Sequence, residues 1–538
     1  MRPEFIPVTP AGKRPRDLRL DFFRGIAMFI ILLAHTPGNT WTLWIPARFG
    51  FSDATEIFVF CSGMASALAF GSVYLGKSWW LGSARIVFRV WQVYWAHIGV
   101  VLSTVLLMLT LDQTGMGVEG KTYADWPSIV RIFSHTKDYL LGLFTLTFVP
   151  GLFDILPMYL VILAMVPIVM LVYSIGGRYA VFGLVVLTWF AAQIAGYARY
   201  ETRIEDPTDV QAWLLQVSQP FTILNLPSSP WRDSAQWFFN PFGWQLVFFT
   251  GFAFGTGWLP APPVKRWLMI AAGIYLIACL PFAWHKMHGA WGYLPEESAL
   301  RIWLSETRSF IQPMWSKTGV GLLRYLHFIA LAYLAWCAVG DGGRRLRDGW
   351  EAVLRSTNQR RLICYLMVPI LLLTAPYAYV EEIMILSPSL NAWIVKDYPL
   401  VDGAQLGMLQ ILHLTALIAL FWNMIGDRAR QWIIRDAFLA AVPVIRKVGT
   451  QSLAVFMVSI VLSRFNGWWL DVIGRDVWTR GIVNFTGFAV LIATAYLVSW
   501  FKRQPWRDDK ARTAPVGAPA RPETEIGQTP DHAETIRA

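Results

Sequence analysis

The chain has 538 residues, of which 55% are hydrophobic and 15% charged, and its mean hydropathy is +0.44. This composition excludes an ordinary soluble globular protein and indicates a polytopic membrane protein. The net charge of +11 would suit a nucleic-acid partner, but the basic residues cluster in alternate loops between apolar segments, as membrane topology requires. We therefore expect an all-α membrane protein with no nucleic-acid partner.

Membrane crossing needs segments of about 17 to 25 mostly apolar residues, enough to pass roughly 30 Å of hydrocarbon. The sequence predicts about twelve such spans (ten to twelve), at 19–38, 54–76, 90–111, 153–175, 179–199, 240–259, 266–284, 322–340, 362–386, 404–426, 449–465 and 481–501. The four cysteines lie inside apolar runs and form neither a disulfide framework nor a zinc motif. We expect no metal site.

Basic residues assign the orientation of these spans. If the N-terminus is cytoplasmic, every loop on that side carries Lys or Arg, at 77–89, 178, 265–266, 344–361 and 428–447. The opposite loops are longer and rich in Trp and Pro. The sequence thus predicts a cytoplasmic segment at 1–18, a transmembrane domain at 19–504 and a disordered cytoplasmic tail at 505–538, which is rich in Pro, Ala, Thr and charge.

The first span, RLDFFRGIAMFIILLAH (19–35), contains polar residues that a lipid-facing helix excludes. Asp21, Arg24 and His35 each cost roughly 2 to 4 kcal/mol near a bilayer centre. His35 follows Arg24 by eleven positions, which returns it to within about 20° of the same helical face and places it about 16 Å along the axis. This polar stripe must face protein or a water-filled cavity.

The second span begins SDATEIFVFCSG, with Asp53 and Glu56 near the level of His35. A carboxylate that orients one imidazole nitrogen leaves the other free to act as a base. We expect His35 to be the catalytic base, with Glu56 as its closer partner and Asp53 beside it. The alternative is that the two carboxylates only cap the second helix, since anions are favourable in a first turn.

Several segments together resemble a known family. Arg24 and His35 separated by ten residues, followed by Phe58, Ser62 and Gly63 in FVFCSG, resemble the membrane-bound acyltransferase-3 superfamily. Within it the chain is most similar to the OpgC family, which transfers succinyl groups to osmoregulated periplasmic glucans. The similarity extends through FDILPMYL (153–160), NPFGWQLVFFTGF (240–252), LLRYLHFIALAYL (322–334) and GTQSLAVF (449–456).

This resemblance implies an acyltransferase-3-like helical bundle in a bacterial inner membrane. The family has about ten spans, so a count of twelve implies an extra hairpin within 341–448, and either His327 or His413 holds one family position. The donor would be succinyl-CoA on the cytoplasmic side, with no permanently bound cofactor. The acceptor would be a periplasmic glucan, with membrane lipid as the surroundings.

The remaining candidate residues divide between donor and acceptor. Arg24, Arg85 and Arg89 are candidates for binding the phosphates of the acyl-CoA. The alternatives are that Arg24 only neutralises Asp21 at the adjacent turn, and that Arg85 and Arg89 are the topology anchors that any cytoplasmic loop carries. Arg85 and Arg89 share a helical face. Candidates for the acceptor side are polar residues of family-like segments and an outer-loop tryptophan whose flat ring can stack on sugar: Asp154, Asn240, Gln245, His327 and Trp231. The alternatives are interhelical hydrogen bonding for the polar residues and a membrane-interface belt for the tryptophan.

Two other functions fit the same features. A transporter or flippase of a polar glycan or lipid would also need many spans and intramembrane charges. Against it, the sequence shows neither a convincing inverted repeat nor paired Gly/Pro-broken helices. An acetyltransferase of the same superfamily is the second alternative, because the sequence does not choose the acyl group.

Overall fold

A computed structural model describes residues 17–126, 129–198, 208–229, 235–289, 294–351, 356–378 and 408–507. Within these ranges regular structure is helical, apart from one isolated bridge between Pro227 and Gln236. The long helices, numbered in chain order, are α1 Leu18–His35, α2 Ala54–Ser66, α3 Trp79–Gln113, α4 Ile155–Tyr197, α5 Pro241–Thr256, α6 Arg266–Ala283, α7 Leu322–Val339, α8 Thr357–Ala378, α9 Met408–Met424, α10 Phe438–Thr450, α11 Ser452–Ile473 and α12 Val477–Arg503.

Shorter elements connect the long helices. Helix α2 continues through a π-helical turn, Ala67–Gly71, into a short helix. The short α-helices are Ser72–Gly76, Arg131–Ser134, Thr136–Thr145, Asp209–Ser218, His285–His288, Ala299–Phe310, Gln312–Trp315, Arg344–Asp348 and Asp427–Gln431. Of the predicted tail at 505–538, the described part is only the 3-10 turn Pro505–Arg507, and of the predicted segment at 1–18 only residues 17 and 18.

Seven helices of the described ranges are long and apolar enough to cross a membrane: Ala54–Tyr74, Trp79–Gln113, Ile155–Tyr197, Arg266–Ala283, Leu322–Val339, Ser452–Ile473 and Val477–Arg503. These confirm an all-α membrane protein. Helix α1 carries more charge than a lipid-facing span tolerates, and α5 and α9 are shorter, with 16 and 17 residues. The count of twelve stays a prediction.

Helix α4 has 43 residues, and Gly177 interrupts it with a backbone φ of 64°. A straight helix of that length would separate its ends by about 64 Å. Both ends instead meet one segment: the charge of Lys317 acts on Asp154, and the Gln193 amide donates a 2.6 Å hydrogen bond to the Gly319 carbonyl. The chain therefore reverses at Gly177, as the separate predicted spans 153–175 and 179–199 require.

Glycines bring the central helices into close backbone contact. A Cβ at Gly63 of α2 would collide with the Phe248 carbonyl of α5, and one at Gly251 would collide with the Phe60 carbonyl. Helix α1 packs in the same way on α10, because Gly25 faces the backbone of Ile445. Without a hydrophobic driving force between helices in lipid, such small residues permit the van der Waals packing that holds a bundle together.

The polar stripe predicted on α1 is buried against these neighbours. Asp21 and Met28 are fully covered, and Arg24 is 5% exposed. Helices α2, α10 and α11 pack against α1. The stripe thus faces protein, as the cost of a charge in lipid demands.

Helices α8 and α9 pack on one another in the region where the sequence predicts an extra hairpin. The Thr374 hydroxyl and the His413 Nδ1 lie 2.9 Å apart and tie the two helices together. Their outer faces expose apolar side chains, including Leu373 and Phe421, as expected of helices that meet lipid. Residues 379–407, which include parts of the predicted spans 362–386 and 404–426, lie outside the described ranges.

Candidate active site

Two groups of polar residues lie at different levels of helix α1. The first, here called the arginine cavity, is a cavity of about 550 Å³ bordered by Arg24, Arg85 and Arg89. The second, the carboxylate cluster, contains Asp53, Glu56, Lys317 and Arg324. The structure therefore brings together the three predicted donor-binding residues, and it places the two predicted carboxylates in a separate group.

Residues of α1, α2, α3, α4 and α11 line the arginine cavity. Arg24 donates to the Cys61 carbonyl, and Arg89 Nη1 donates to the Gln92 Oε1 at 3.1 Å. The Arg85 guanidinium lies 5.8 Å from the Phe70 ring centre. Arg85 and Arg89 both line the cavity, because four residues on a helix separate side chains on the same face.

Hydroxyl and amide groups complete the lining of the arginine cavity. They come from four helices: Ser62 and Ser66 of α2, Gln92 of α3, Tyr159 of α4 and Ser452 of α11. Planar guanidinium groups bind phosphate and carboxylate oxygens through paired hydrogen bonds. The volume lies within the usual range for small-molecule sites. This cavity can accommodate a polyanionic ligand with hydrogen-bonding groups around it.

The carboxylate cluster is built on the first turn of α2. Asp53 accepts from the Thr55 amide at 2.6 Å, and Glu56 Oε2 accepts from the Asp53 amide at 2.7 Å, which forms a capping box. The opposite oxygens bind cations: Lys317 Nζ lies 2.5 Å from Asp53, and Arg324 Nε lies 2.5 Å from Glu56. Two carboxylates and two cations thus neutralise one another.

Asp53 precedes the span that α2 begins, and its ionisation follows from these contacts. Burial by itself would raise the pKa of Asp53, but the charges of Lys317 and Arg324 and the hydrogen bonds from Lys317 and Thr55 hold that pKa well below its usual range. Asp53 is therefore a carboxylate at neutral pH and a permanent partner for the two cations.

His35 is the last residue of α1 and lies beside this cluster. Its Nδ1 lies 2.9 Å from the Ile31 carbonyl, which can only accept, so Nδ1 carries the hydrogen and Nε2 is the basic nitrogen of the neutral ring. The charges of Asp53, Lys317 and Arg464 act on the ring. Arg464 of α11 also donates to the His35 carbonyl.

The orientation of His35 differs from the sequence expectation. The sequence predicts that Glu56 orients the imidazole, but the two Glu56 oxygens bind Arg324 and the Asp53 amide. The Ile31 carbonyl, one turn back on the same helix, holds the ring instead. This arrangement has the same chemical result, because it fixes the tautomer with a basic Nε2. Glu56 holds Arg324 and the Asp53 amide in place within the carboxylate cluster.

His327 and His413, the two rivals for one family position, lie in different parts of the molecule. His327 of α7 contacts the cluster region: its Nδ1 lies 2.7 Å from the Ser52 hydroxyl, one residue before Asp53. His413 bonds Thr374 in the α8–α9 hairpin. The geometry favours His327 as the histidine that belongs to the site.

Of the other predicted acceptor residues, one lies near the charge of Lys317 and two hold helices and loops together. Asp154 is 6% exposed and lies within reach of the Lys317 charge. Asn240 caps α5 and donates to the Leu224 carbonyl at 3.0 Å, and Gln245 donates to the Val185 carbonyl at 2.8 Å. The last two amides therefore tie helices and loops together. Trp231 lies outside the described residues.

Sequence reasoning missed three cations that surround His35 and the carboxylates: Lys317, Arg324 and Arg464. A signal existed for two of them. Arg324 and Arg464 lie inside predicted spans, where a charged residue indicates a buried partner. Lys317 lies in a loop before α7 and has no such signal.

Comparison with known proteins gives one match. The family model described as OpgC protein matches residues 16–371 and 349–503 of the chain, which together cover most of its length. No curated protein and no solved structure matches.

Proposed function

The chain belongs to the OpgC protein family, and from this we propose that it is a membrane O-acyltransferase that transfers succinyl groups from succinyl-CoA to hydroxyl groups of periplasmic glucans. The observation that supports this most directly is the arrangement along α1. One helix carries Arg24 of the arginine cavity and, eleven residues later, His35 beside the carboxylate cluster. About 16 Å separates these levels, a distance that an extended pantetheine arm can bridge.

The arginine cavity is the proposed donor site. The phosphates of coenzyme A are polyanionic, and Arg85 and Arg89 present guanidinium groups to the same space as Arg24. Ser62 and Ser452 offer hydroxyl groups to the remainder of the donor. In the proposed orientation this cavity opens to the cytoplasm, where the basic loops lie.

His35 is the proposed general base. Its Nε2 takes the proton of a glucose hydroxyl as that oxygen attacks the thioester carbonyl carbon. A carbon–oxygen bond forms and a tetrahedral oxyanion develops, and Arg464, whose charge reaches the imidazole, is the candidate that stabilises it. The oxyanion collapses, the carbon–sulfur bond breaks, and the coenzyme A thiolate leaves and takes the proton back from His35.

The proposed orientation puts the donor and acceptor on opposite sides of a bacterial inner membrane, with both termini cytoplasmic. Reporter fusions test this: one near Gly349 should read cytoplasmic, and one near Ser228 should read periplasmic. Reversed signals would exclude a cytoplasmic coenzyme A donor at the arginine cavity.

The decisive experiment is mass spectrometry of cell-envelope glucans from a deletion strain and from that strain carrying the wild-type chain. Loss and recovery of a succinyl mass increment on the glucan are the expected results. An acetyl increment instead would keep the acyltransferase and change the donor. Unchanged glucan modification in the deletion strain would contradict the proposal and favour a transporter of a polar glycan or lipid.

A further inference from the structure

A second cavity lies away from the active site, between the end of α10 and the last four turns of α12. Its volume is about 700 Å³, and apolar side chains including Val490, Ala493 and Leu497 line it. These three are spaced three and four residues apart, so they form one face of α12. Leu497 is 56% exposed, and in a membrane this face meets acyl chains rather than water.

Two cations lie at one end of this groove. Lys447 of α10 and Arg503 of α12 both line it, and among the described residues neither has a carboxylate partner. The Lys447 Nζ lies 2.5 Å from the Ser499 hydroxyl and 5.4 Å from the Tyr496 ring centre. Burial, and then the charge of Arg503, lower the pKa of Lys447. Two like charges held this close favour an anion between them.

We infer that this groove is a binding site for a phospholipid with an anionic headgroup. Lys447 and Arg503 bind the headgroup phosphate, with the Ser499 hydroxyl beside them, and an acyl chain lies along the apolar face of α12. The inference does not depend on acyl transfer.

The dimensions of the groove support a lipid over a soluble anion. From Arg503 back to Val490 the helix rises about 20 Å, which spans the roughly 15 Å of one leaflet's hydrocarbon and the headgroup above it. Trp500 also lines the groove near its basic end, where indole rings favour the membrane interface. A free phosphate would use the two cations and leave the apolar face without a role.

The site touches the helix that carries the proposed base. Lys447 is two residues before Gly449, and a Cβ at Gly449 would collide with the Asp21 backbone of α1. A lipid that joins α10 to α12 therefore supports one of the surfaces on which α1 packs. We expect bound anionic lipid to raise the thermal stability of the protein.

Native mass spectrometry of the full chain in detergent tests the inference, with phosphatidylglycerol and phosphatidylcholine of identical acyl chains as probes. We expect the wild type to bind phosphatidylglycerol about 10- to 30-fold more tightly, because its headgroup has a net negative charge for the two cations, whereas the quaternary ammonium of phosphatidylcholine offsets the phosphate charge. Lys447→Gln with Arg503→Gln should abolish this preference. Lys265→Gln with Arg266→Gln removes two exposed cations from another helix and should preserve it.

A second variant tests whether an acyl chain lies in the apolar part of the groove. Ala493→Trp fills the apolar part of the groove at an exposed position and should weaken binding of both lipids while the protein remains folded. Equal affinity of the wild type for the two lipids would overturn the inference. So would an unchanged preference in the Lys447/Arg503 double variant, or complete displacement of phosphatidylglycerol by millimolar inorganic phosphate, which would indicate a site for soluble anions.

Discussion

The charged residues near the two ends of α1 differ in the partners that they contact. In the arginine cavity, the guanidinium groups of Arg85 and Arg89 contact neutral partners, namely the Phe70 ring and the Gln92 side chain, around about 550 Å³ of open space. In the carboxylate cluster, Lys317 and Arg324 pair with Asp53 and Glu56, and the side chain of Glu56 is fully buried.

This difference in charge indicates different roles for the two groups: the arginine cavity binds a ligand, and the carboxylate cluster holds the site in place. A cavity lined by cations can take an anionic ligand, because the ligand supplies the missing charge. A neutralised cluster has little charge to offer a ligand, but it holds its members rigidly, because any one of them left alone would be a buried, unpaired ion. We therefore interpret the arginine cavity as a binding site and the carboxylate cluster as the scaffold of the chemistry at His35.

The largest expected effect is on stability, at the cluster. Arg324→Gln leaves Glu56 buried without its cation, and removing one partner of a buried pair typically destabilises by about 3 to 5 kcal/mol. Denaturant unfolding of the purified protein should show this loss. The matched control is Arg85→Gln in the cavity, where the arginine is exposed and the change should stay within about 0.5 kcal/mol.

The paired substitution sharpens this test. Combining Glu56→Gln with Arg324→Gln removes both charges, so the double variant should recover part of the stability that Arg324→Gln loses. If the two single effects simply add, Glu56 and Arg324 do not depend on one another, and the cluster is not a neutralised scaffold.

The second prediction concerns the base beside the cluster. His35→Gln keeps a hydrogen-bonding side chain but removes a base that works near neutral pH, so glucan acylation should fall by about 10²-fold or more at matched protein levels. Stability should change little, because the ring's bond to the Ile31 carbonyl is local. Near-normal acylation by this variant would place the base elsewhere.

The third prediction concerns the cavity. Lys at positions 85 and 89 preserves charge but loses the planar, paired hydrogen bonds of guanidinium. The apparent KM for the acyl-CoA donor should rise by about 10-fold, the cost of roughly one lost charge-assisted hydrogen bond, with kcat nearly unchanged. An unchanged KM would assign these arginines to membrane topology alone.

The smallest effect distinguishes the two rival histidines. His327→Gln loses a hydrogen bond to Ser52 beside the cluster and should lower acylation by about 3- to 10-fold, the scale of one neutral hydrogen bond. His413→Gln breaks a similar bond in the α8–α9 hairpin and should leave acylation unchanged. The reverse ranking would move the site toward that hairpin.

The sequence alone predicts the features that belong to a single helix. The order and apolar length of the spans, the stripe from Asp21 to His35, and the shared face of Arg85 and Arg89 follow from the rise and rotation per residue of a helix. A charge inside a span must also face protein, whatever its neighbours are. The stripe and the shared face are present in the structure because they need no knowledge of which helices pack together.

The contacts between residues that are distant in sequence follow only from the tertiary structure. Lys317 meets Asp53 across 264 positions of sequence and Arg324 meets Glu56 across 268, and the Ile31 carbonyl rather than Glu56 holds His35. Spacing along a chain does not encode which faces of two distant helices meet. That choice depends on close backbone approach, such as Gly63 against Phe248, and on the requirement that every buried charge finds a counter-charge.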